Sequence, residues 1–330
     1  MADAPTTYSV IPAAVSEFYD KTLLARALPL LVHDRWGQRR PIPKHNSGTI
    51  KFRRYESLAA STSPLTEGNP PDAVALSKTD ITATLNLYGG VIKLTDKVQL
   101  LNVEPVLVEA TELCGEWAGN SLDQIYRDVL VTGTNVIYAN GKTDRNQVVD
   151  VISAADLDKA ITTLKQNNAR MFTEVIAGQD RHNTTPIAPA YFAIVHPHLW
   201  KTLKGLSGFT PVHKYPNPGA AVPGEIGSYE HIRFVETTNA KIWAGAGGTS
   251  STVRNTAGVA DVYAVLIFGR DAYGITELEG EGLRTIIKPL GSAGTSDPLD
   301  MWASVGWKAY QTIKILNDAF MVRIECAAAL

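Results

Sequence analysis

The sequence predicts an α+β protein, and three observations carry that reading. Two runs, Gly48–Glu56 and Asp80–Tyr88, alternate apolar and polar side chains, the period of a strand with one wet face. One apolar stripe recurs at spacings of three and four from about Val103 to Thr132, the period of a long helix. The elements follow no regular βαβα order, which excludes a doubly wound sheet or a barrel of parallel strands.

Residues 1–47 read as an N-terminal arm. Pro12–Val32 has helical character, with Val15, Phe18, Tyr19, Leu23 and Ala27 roughly on one face. Asp34–Ser47 has no periodicity, and Pro41 and Pro43 prevent a helix there. In the first alternating run Ile50 and Phe52 take one face and Lys51 and Arg53 the other. In the second, Ile81, Ala83, Leu85 and Leu87 oppose Thr82, Thr84 and Asn86. Between them Ser57–Thr79 is rich in Ser, Thr, Pro and Gly. Residues 48–88 thus predict a hairpin with a long loop, and such loops usually serve a function or a partner. Val91–Asp96 continues the sheet after a break at Gly89-Gly90.

The long helix starts with Asn102 as N-cap, Glu104 in its first turn and Pro105 where proline is tolerated. Its stripe is Val103, Leu107, Ala110, Cys114, Trp117, Ser121, Ile125 and Val129, which places Leu107 and Trp117 in the core. Gly133 ends it. About 30 residues at ~1.5 Å each span ~45 Å, so the helix must cross the whole molecule. A second helix near Ala154–Asn168 follows Ser153, which makes a near capping box with Asp156. Ala190–His196 reads as a buried strand, followed by a short helix at Pro197–Lys204 and a strand at His231–Glu236. Asp261–Phe268 is the most apolar strand and takes a central position. Gln311–Leu316 and Ala319–Cys326 read as a closing hairpin around Asn317-Asp318.

Composition narrows the function. A chain this long buries enough surface to need no staple of disulfide or metal. Its formal charge of -2 does not mark a nucleic-acid binder. Charged residues make up 19%, below the roughly 25% usual for soluble domains, and oligomerisation is the simplest cover for such a surface. The two cysteines, Cys114 and Cys326, exclude a disulfide framework or zinc ribbon and read as small buried hydrophobes. Met1–Ser9 has no basic segment before an apolar run, so no secretory leader is expected, and no apolar stretch is long enough to span a membrane.

Catalytic constellations are missing. There is no phosphate-binding glycine loop followed by Lys, no H-E-x-x-H and no G-x-S-x-G. His196-Pro-His198 lacks a third ligand and reads as a strand-end cap. Glu277 and Glu279 read as a solvated face. No enzyme activity, metal or cofactor is expected. The one strong charge feature is a basic run of seven cations with no acid, Arg35, Arg39, Arg40, Lys44, Lys51, Arg53 and Arg54. Such a run can position phosphates, bridge to a neighbouring subunit, or simply face water. Its place on an arm and hairpin without a core of their own favours the intersubunit role.

Several segments in order resemble the major capsid proteins of tailed bacteriophages. They include GTIKFRRYE from Gly48, then Pro64-Leu-Thr-Glu-Gly68, Gly133-Thr-Asn-Val-Ile-Tyr-Ala-Asn-Gly141 and Pro186-Ile-Ala-Pro-Ala-Tyr-Phe-Ala-Ile-Val-His-Pro197. Gly208-Phe-Thr-Pro-Val212, Pro223-Gly-Glu-Ile-Gly227, Gly269-Arg-Asp-Ala-Tyr-Gly274, Val305-Gly-Trp-Lys308 and Ile315-Leu-Asn-Asp318 follow. The resemblance implies the tailed-phage capsid fold, shared with encapsulins and herpesvirus capsids. Its parts would be an arm (1–47), an extended loop (48–88), a peripheral domain (89–188) with its spine helix at 103–132, and an axial domain (189–300). Residues 301–330 would form a hairpin returning to the peripheral domain. The implied function is a shell subunit, self-assembling into pentamers and hexamers around double-stranded DNA bound without sequence specificity. An encapsulin-like compartment for enzyme cargo is the alternative. Implied partners are further copies of the chain, a separate scaffolding protein, a portal protein and a decoration protein, with no membrane. The implied location is the virion capsid, after synthesis in the bacterial host cytoplasm. Glu67, in the loop, joins the seven cations as a candidate intersubunit contact.

Overall fold

The computed structural model describes residues 31–45, 47–56, 58–62, 64, 68, 73–97, 106–172, 189–215, 221–280, 282–292 and 297–330. The helix expected at Pro12–Val32 lies outside them apart from its last two residues. So do Asn102, Glu104 and Pro105.

The first strands are β1 (Gln38–Arg39), β2 (Thr49–Tyr55), β3 (Lys78–Thr84) and β4 (Asn86–Thr95). Helix α1 (Val106–Leu130) leads to β5 (Val136–Tyr138), and α2 (Ala154–Gln166) to β6 (Tyr191–Val195). After α3 (Trp200–Lys204) come β7 (Phe209–Pro211), β8 (Glu225–Tyr229), β9 (Ile232–Glu236) and β10 (Ile242–Trp243). The small pair β11 (Asn255–Thr256) and β12 (Val259–Ala260) precedes β13 (Val262–Phe268) and β14 (Tyr273–Glu277). The chain closes with β15 (Arg284–Lys288), β16 (Trp302–Ile315) and β17 (Met321–Ala327).

Two sheets organise these strands. One runs β5-β17-β13-β6-β9-β8-β7, with β10 also on β13. Every residue of β6, β13 and β17 is buried. Phe192, Ile194, Leu266 and Phe268 point to one core, while Tyr191, Ala193, Val265 and Ile267 point to another with Leu157, Ile161 and Leu164 of α2. A strand covered on both faces has no wet side, which is why AYFAIVH and DVYAVLIF are apolar at consecutive positions. The cap of α2 is as expected: the Ser153 hydroxyl accepts from the Asp156 N–H, and the Asp156 carboxylate accepts from the Ser153 N–H.

The other sheet centres on β16, with β4 along one side and β14 and β15 along the other. Helix α1 packs on it through Ala110, Cys114, Ala118, Leu122, Tyr126 and Leu130. These residues repeat every fourth position. The expected stripe holds at Ala110 and Cys114 but then falls one position short of the buried residues at every turn, and Trp117 is 43% exposed rather than buried. The small side chains at Cys114, Gly115, Ala118 and Gly119 let the helix approach the sheet closely, and the large ring is left at the flank. There Trp117 meets Trp307 edge-on, with centroids 6.1 Å apart, and lies across Gly90, where no Cβ would fit. Leu107 is partly buried against the same core.

Two further expectations are corrected. The second alternating run does not stay one strand to Tyr88. It breaks at Leu85, and Gly89-Gly90 lies inside β4, which pairs with β16 over ten consecutive positions. The inward side chains are odd-numbered before the break, as at Ala83, and even-numbered after it, as at Tyr88, Ile92 and Leu94. The closing hairpin does not form. β16 belongs to one sheet and β17 to the other, so Leu316–Phe320 is a crossover between layers. The end of the arm is docked on the body. Val32 and Trp36 are buried in the main core, Trp36 stacks on Phe192 at 4.9 Å, and β1 pairs in parallel with β14.

Candidate intersubunit site

The β2–β3 hairpin is a two-stranded sheet of its own, registered from Thr49↔Thr84 to Tyr55↔Lys78. Its alternation anchors it. Phe52 and Ala83 face the body and pack with Leu316, while Lys51, Arg53, Thr82 and Thr84 face out. An isolated two-stranded ribbon is marginal in water, so this small cluster is what holds its base. Tyr55 at the last pair and Leu58, Val74 and Leu76 beyond it are all exposed.

The basic run divides. Arg35 is turned inward, donating through Nε to the Leu31 carbonyl at 3.1 Å and through Nη1 to the Pro223 carbonyl. Burial pushes its guanidinium below the ordinary arginine value, against the opposing charges of Asp123 and Asp34. Arg39 pairs with Asp34. Lys44 approaches Gly280. Arg53 grips Asp80, its registered partner, with Nε 2.8 Å from Oδ1. Arg54 donates to Glu56 at 2.9 Å and reaches the Leu316 carbonyl at 3.3 Å.

Arg40, Lys51, Arg53 and Arg54 all border one cleft of about 870 Å³ at the hairpin base. Glu56, Arg170 and Asp271 complete its charged lining. The cleft is open, and its excess of cations suits an acidic segment of another molecule. Arg35, Arg39 and Lys44 lie outside it, and Glu67 lies outside the described residues. Arg170 was not legible as part of this group, because a position 116 residues beyond Arg54 joins it only when the two sheets are packed. Asp80 was legible in principle, since it opposes Arg53 once the two alternating runs are set in register.

The other candidates resolve as structure. The His196 ring accepts from the His198 N–H at 3.1 Å, capping the turn that begins at Pro197, and His198 Nδ1 lies 2.9 Å from the Tyr263 hydroxyl. Cys114 and Cys326 are free and buried, and burial pushes the Cys114 thiol up to about 11. Among the described residues no group of three or more His, Cys, Asp or Glu could hold a metal ion. None of the described helices is long and apolar enough to cross a membrane.

Residues 78–324 match the family model described as phage capsid protein. The chain belongs to the phage capsid protein family. No curated protein is significantly similar to it. Solved structures share the fold of this capsid protein at low sequence identity. The capsid of Ralstonia phage GP4 has a TM-score of 0.66 at 13% identity, covering 89% of this chain and 87% of that one. The capsid of cyanophage Pam1 has a TM-score of 0.62 at 14% identity, covering 93% of each. An encapsulin of Synechococcus elongatus scores 0.54 at 10% identity, covering 92% of this chain and 88% of that one. The fold is therefore the tailed-phage capsid fold, and the role of the protein is structural. The family match selects the phage shell over the enzyme compartment.

Proposed function

We propose that this capsid protein assembles without enzymatic activity into five- and sixfold clusters that close an icosahedral shell around double-stranded DNA. The observation that carries the reading is the hairpin. A capsid-family chain presents a ribbon with a charged base and exposed apolar residues beyond it, a surface that a lone subunit leaves in water. The arm would be residues 1–47, the extended loop 48–84 with its end moved to the Leu85 break, the peripheral domain the sheet of β16 with α1, and the axial domain 189–300 less β14 and β15, which pair with β16. Arg40, Lys51, Arg53 and Arg54 would meet carboxylates of a neighbouring subunit. Scaffolding, portal and decoration proteins would be separate partners. The subunit would be made in the host cytoplasm and end in the virion.

Sedimentation of the purified chain tests this. A fast, discrete particle species whose yield falls when Arg53 and Arg54 are both replaced by alanine, with no DNA present, is the expected result. Normal yield of empty particles from the double variant would move the basic run from the subunit boundary to the packaged DNA.

A further inference from the structure

The sheet of β4, β16 and β15 has two faces, and α1 covers one of them. Val305, Trp307 and Ala309 of β16 join the core under α1, with Ile92 and Leu94 of β4 and Ile287 of β15. The alternate residues of each strand point the other way. The register sets Lys93, Ser304 and Lys288 in one row across the three strands, and Val91, Gly306 and Ile286 in the next.

This second face is not built for water. The solvated face of an antiparallel sheet carries polar side chains. Here Leu87 and Val91 are 57% and 61% exposed, and Ile286 and Trp302 are exposed beside them. Such exposed apolar groups on one face mark a surface that meets another molecule. Gly306 pairs with both Val91 and Ile286, so the two flank a position with no side chain.

The charge is one-sided as well. β4, β15 and β16 hold five cations, Lys93, Arg284, Lys288, Lys308 and Lys314, and no acid. The alternation puts all five on the face away from α1. Lys93 lies 5.8 Å from the centre of the Trp302 ring, and Lys308 5.8 Å from that of Tyr310, so cations and aromatics interleave.

A partner offering only phosphates would leave the apolar side chains uncovered, and a purely apolar partner would strand the lysines. A protein segment that alternates carboxylates with apolar side chains answers both. The β2–β3 hairpin of another copy is a poor match, because its exposed Lys51 and Lys78 carry the same sign as this face.

We propose that the face of β4, β16 and β15 opposite α1 is a docking surface for an acidic, amphipathic segment of a different protein. Its carboxylates meet Lys93, Lys288 and Lys308, and its apolar side chains cover Val91, Ile286 and Trp302. The three strands are ~10 Å across and Trp302–Tyr310 is ~27 Å long, less than the ~800 Å² per partner of a stable pair. One subunit therefore holds the partner weakly, and an array of copies holds a multivalent partner far more tightly.

Fluorescence anisotropy with purified subunits tests this, using a ten-residue peptide of alternating Glu and Leu as the probe. A peptide of alternating Glu and Ser and a short DNA duplex are the comparisons. The Glu-Leu peptide should bind, more weakly as salt is added, and the Glu-Ser peptide should bind about tenfold less tightly. Lys93→Gln with Lys288→Gln, and separately Val91→Thr with Ile286→Thr, should each raise the Kd of the Glu-Leu peptide about tenfold. These are exposed positions, and subunit melting should stay at the parental value. No binding of the Glu-Leu peptide, or binding that neither pair of changes weakens, would overturn the proposal. Duplex binding that the Gln pair weakens and the Thr pair does not, at an affinity matching the peptide, would overturn it in favour of a phosphate contact. The measurement uses subunits alone, so a chain that forms no particles would sink the shell reading and leave this one standing.

Discussion

Asp123 ties the end of the arm to the long helix. Its Oδ1 accepts from the Val32 and His33 N–H groups at 2.9 Å each, and Oδ2 lies 3.0 Å from His33 Nδ1 and accepts from Asn239 at 3.1 Å. Burial alone would raise this carboxyl, but the His33 contacts and the two backbone amides outweigh it and hold it below the usual aspartate range. A depressed carboxyl contributes stability above its unfolded value of roughly 4 and loses it as pH falls through the lower folded value. Asp123→Ala should therefore destabilise the subunit by several kcal/mol at neutral pH, because the buried donors of Val32, His33 and Asn239 each lose their acceptor at about 1–3 kcal/mol, and by less in acid. Denaturant titrations at both pH values check this. His196 has a separate signature. Burial first, then His198 and Arg254, lower its ring from 6.5 to about 4. Between those values the unfolded chain holds the proton and the folded one does not, so stability should rise with pH across that window. His196→Asn, which keeps a capping acceptor, should flatten this part of the stability profile in thermal melts across pH.

At the scale of the element, the period of a pattern was more legible than its phase. The helix at Val106–Leu130, the capping of α2 and the buried strands β6 and β13 could all be read from residue spacing. The buried face of α1 could not, because the small residues Gly115, Ala118 and Gly119 lack the apolar bulk that marks a stripe, while Trp117 has it and sits at the flank. Leu122→Ala should cost about 2–5 kcal/mol and Trp117→Ala clearly less, a difference that equilibrium unfolding of the subunit resolves. The break at Leu85 was hidden for a related reason. Leu85 and Leu87 prolong the alternation of Ile81 and Ala83, but the face reverses between them. The crossover from β16 to β17 was hidden because Asn317-Asp318 resembles a hairpin turn, and only the pairing partners, β4, β14 and β15 on one side and β5 and β13 on the other, separate the two strands.

For the whole molecule, the candidate site was half legible. The local cations of β2 were visible as a run, whereas their meeting with Arg170 and Asp271 depends on packing between distant elements. Exposed ion pairs are worth about 0–1 kcal/mol each and are screened by salt, so their weight in a shell comes from repetition in every copy. Loops of this kind have low local stability when uncovered. Protease should therefore cut within Ser57–Thr79 rapidly in free subunits and slowly in particles, and equal rates would contradict a hairpin covered by a neighbour. The central claim, that this chain builds a closed shell, is tested most directly by electron microscopy of the assembled purified protein. Isometric closed particles of uniform diameter, with five- and sixfold clusters on their surface, are the predicted result. A chain that stays monomeric, or forms only irregular aggregates, across protein concentration and salt would contradict it.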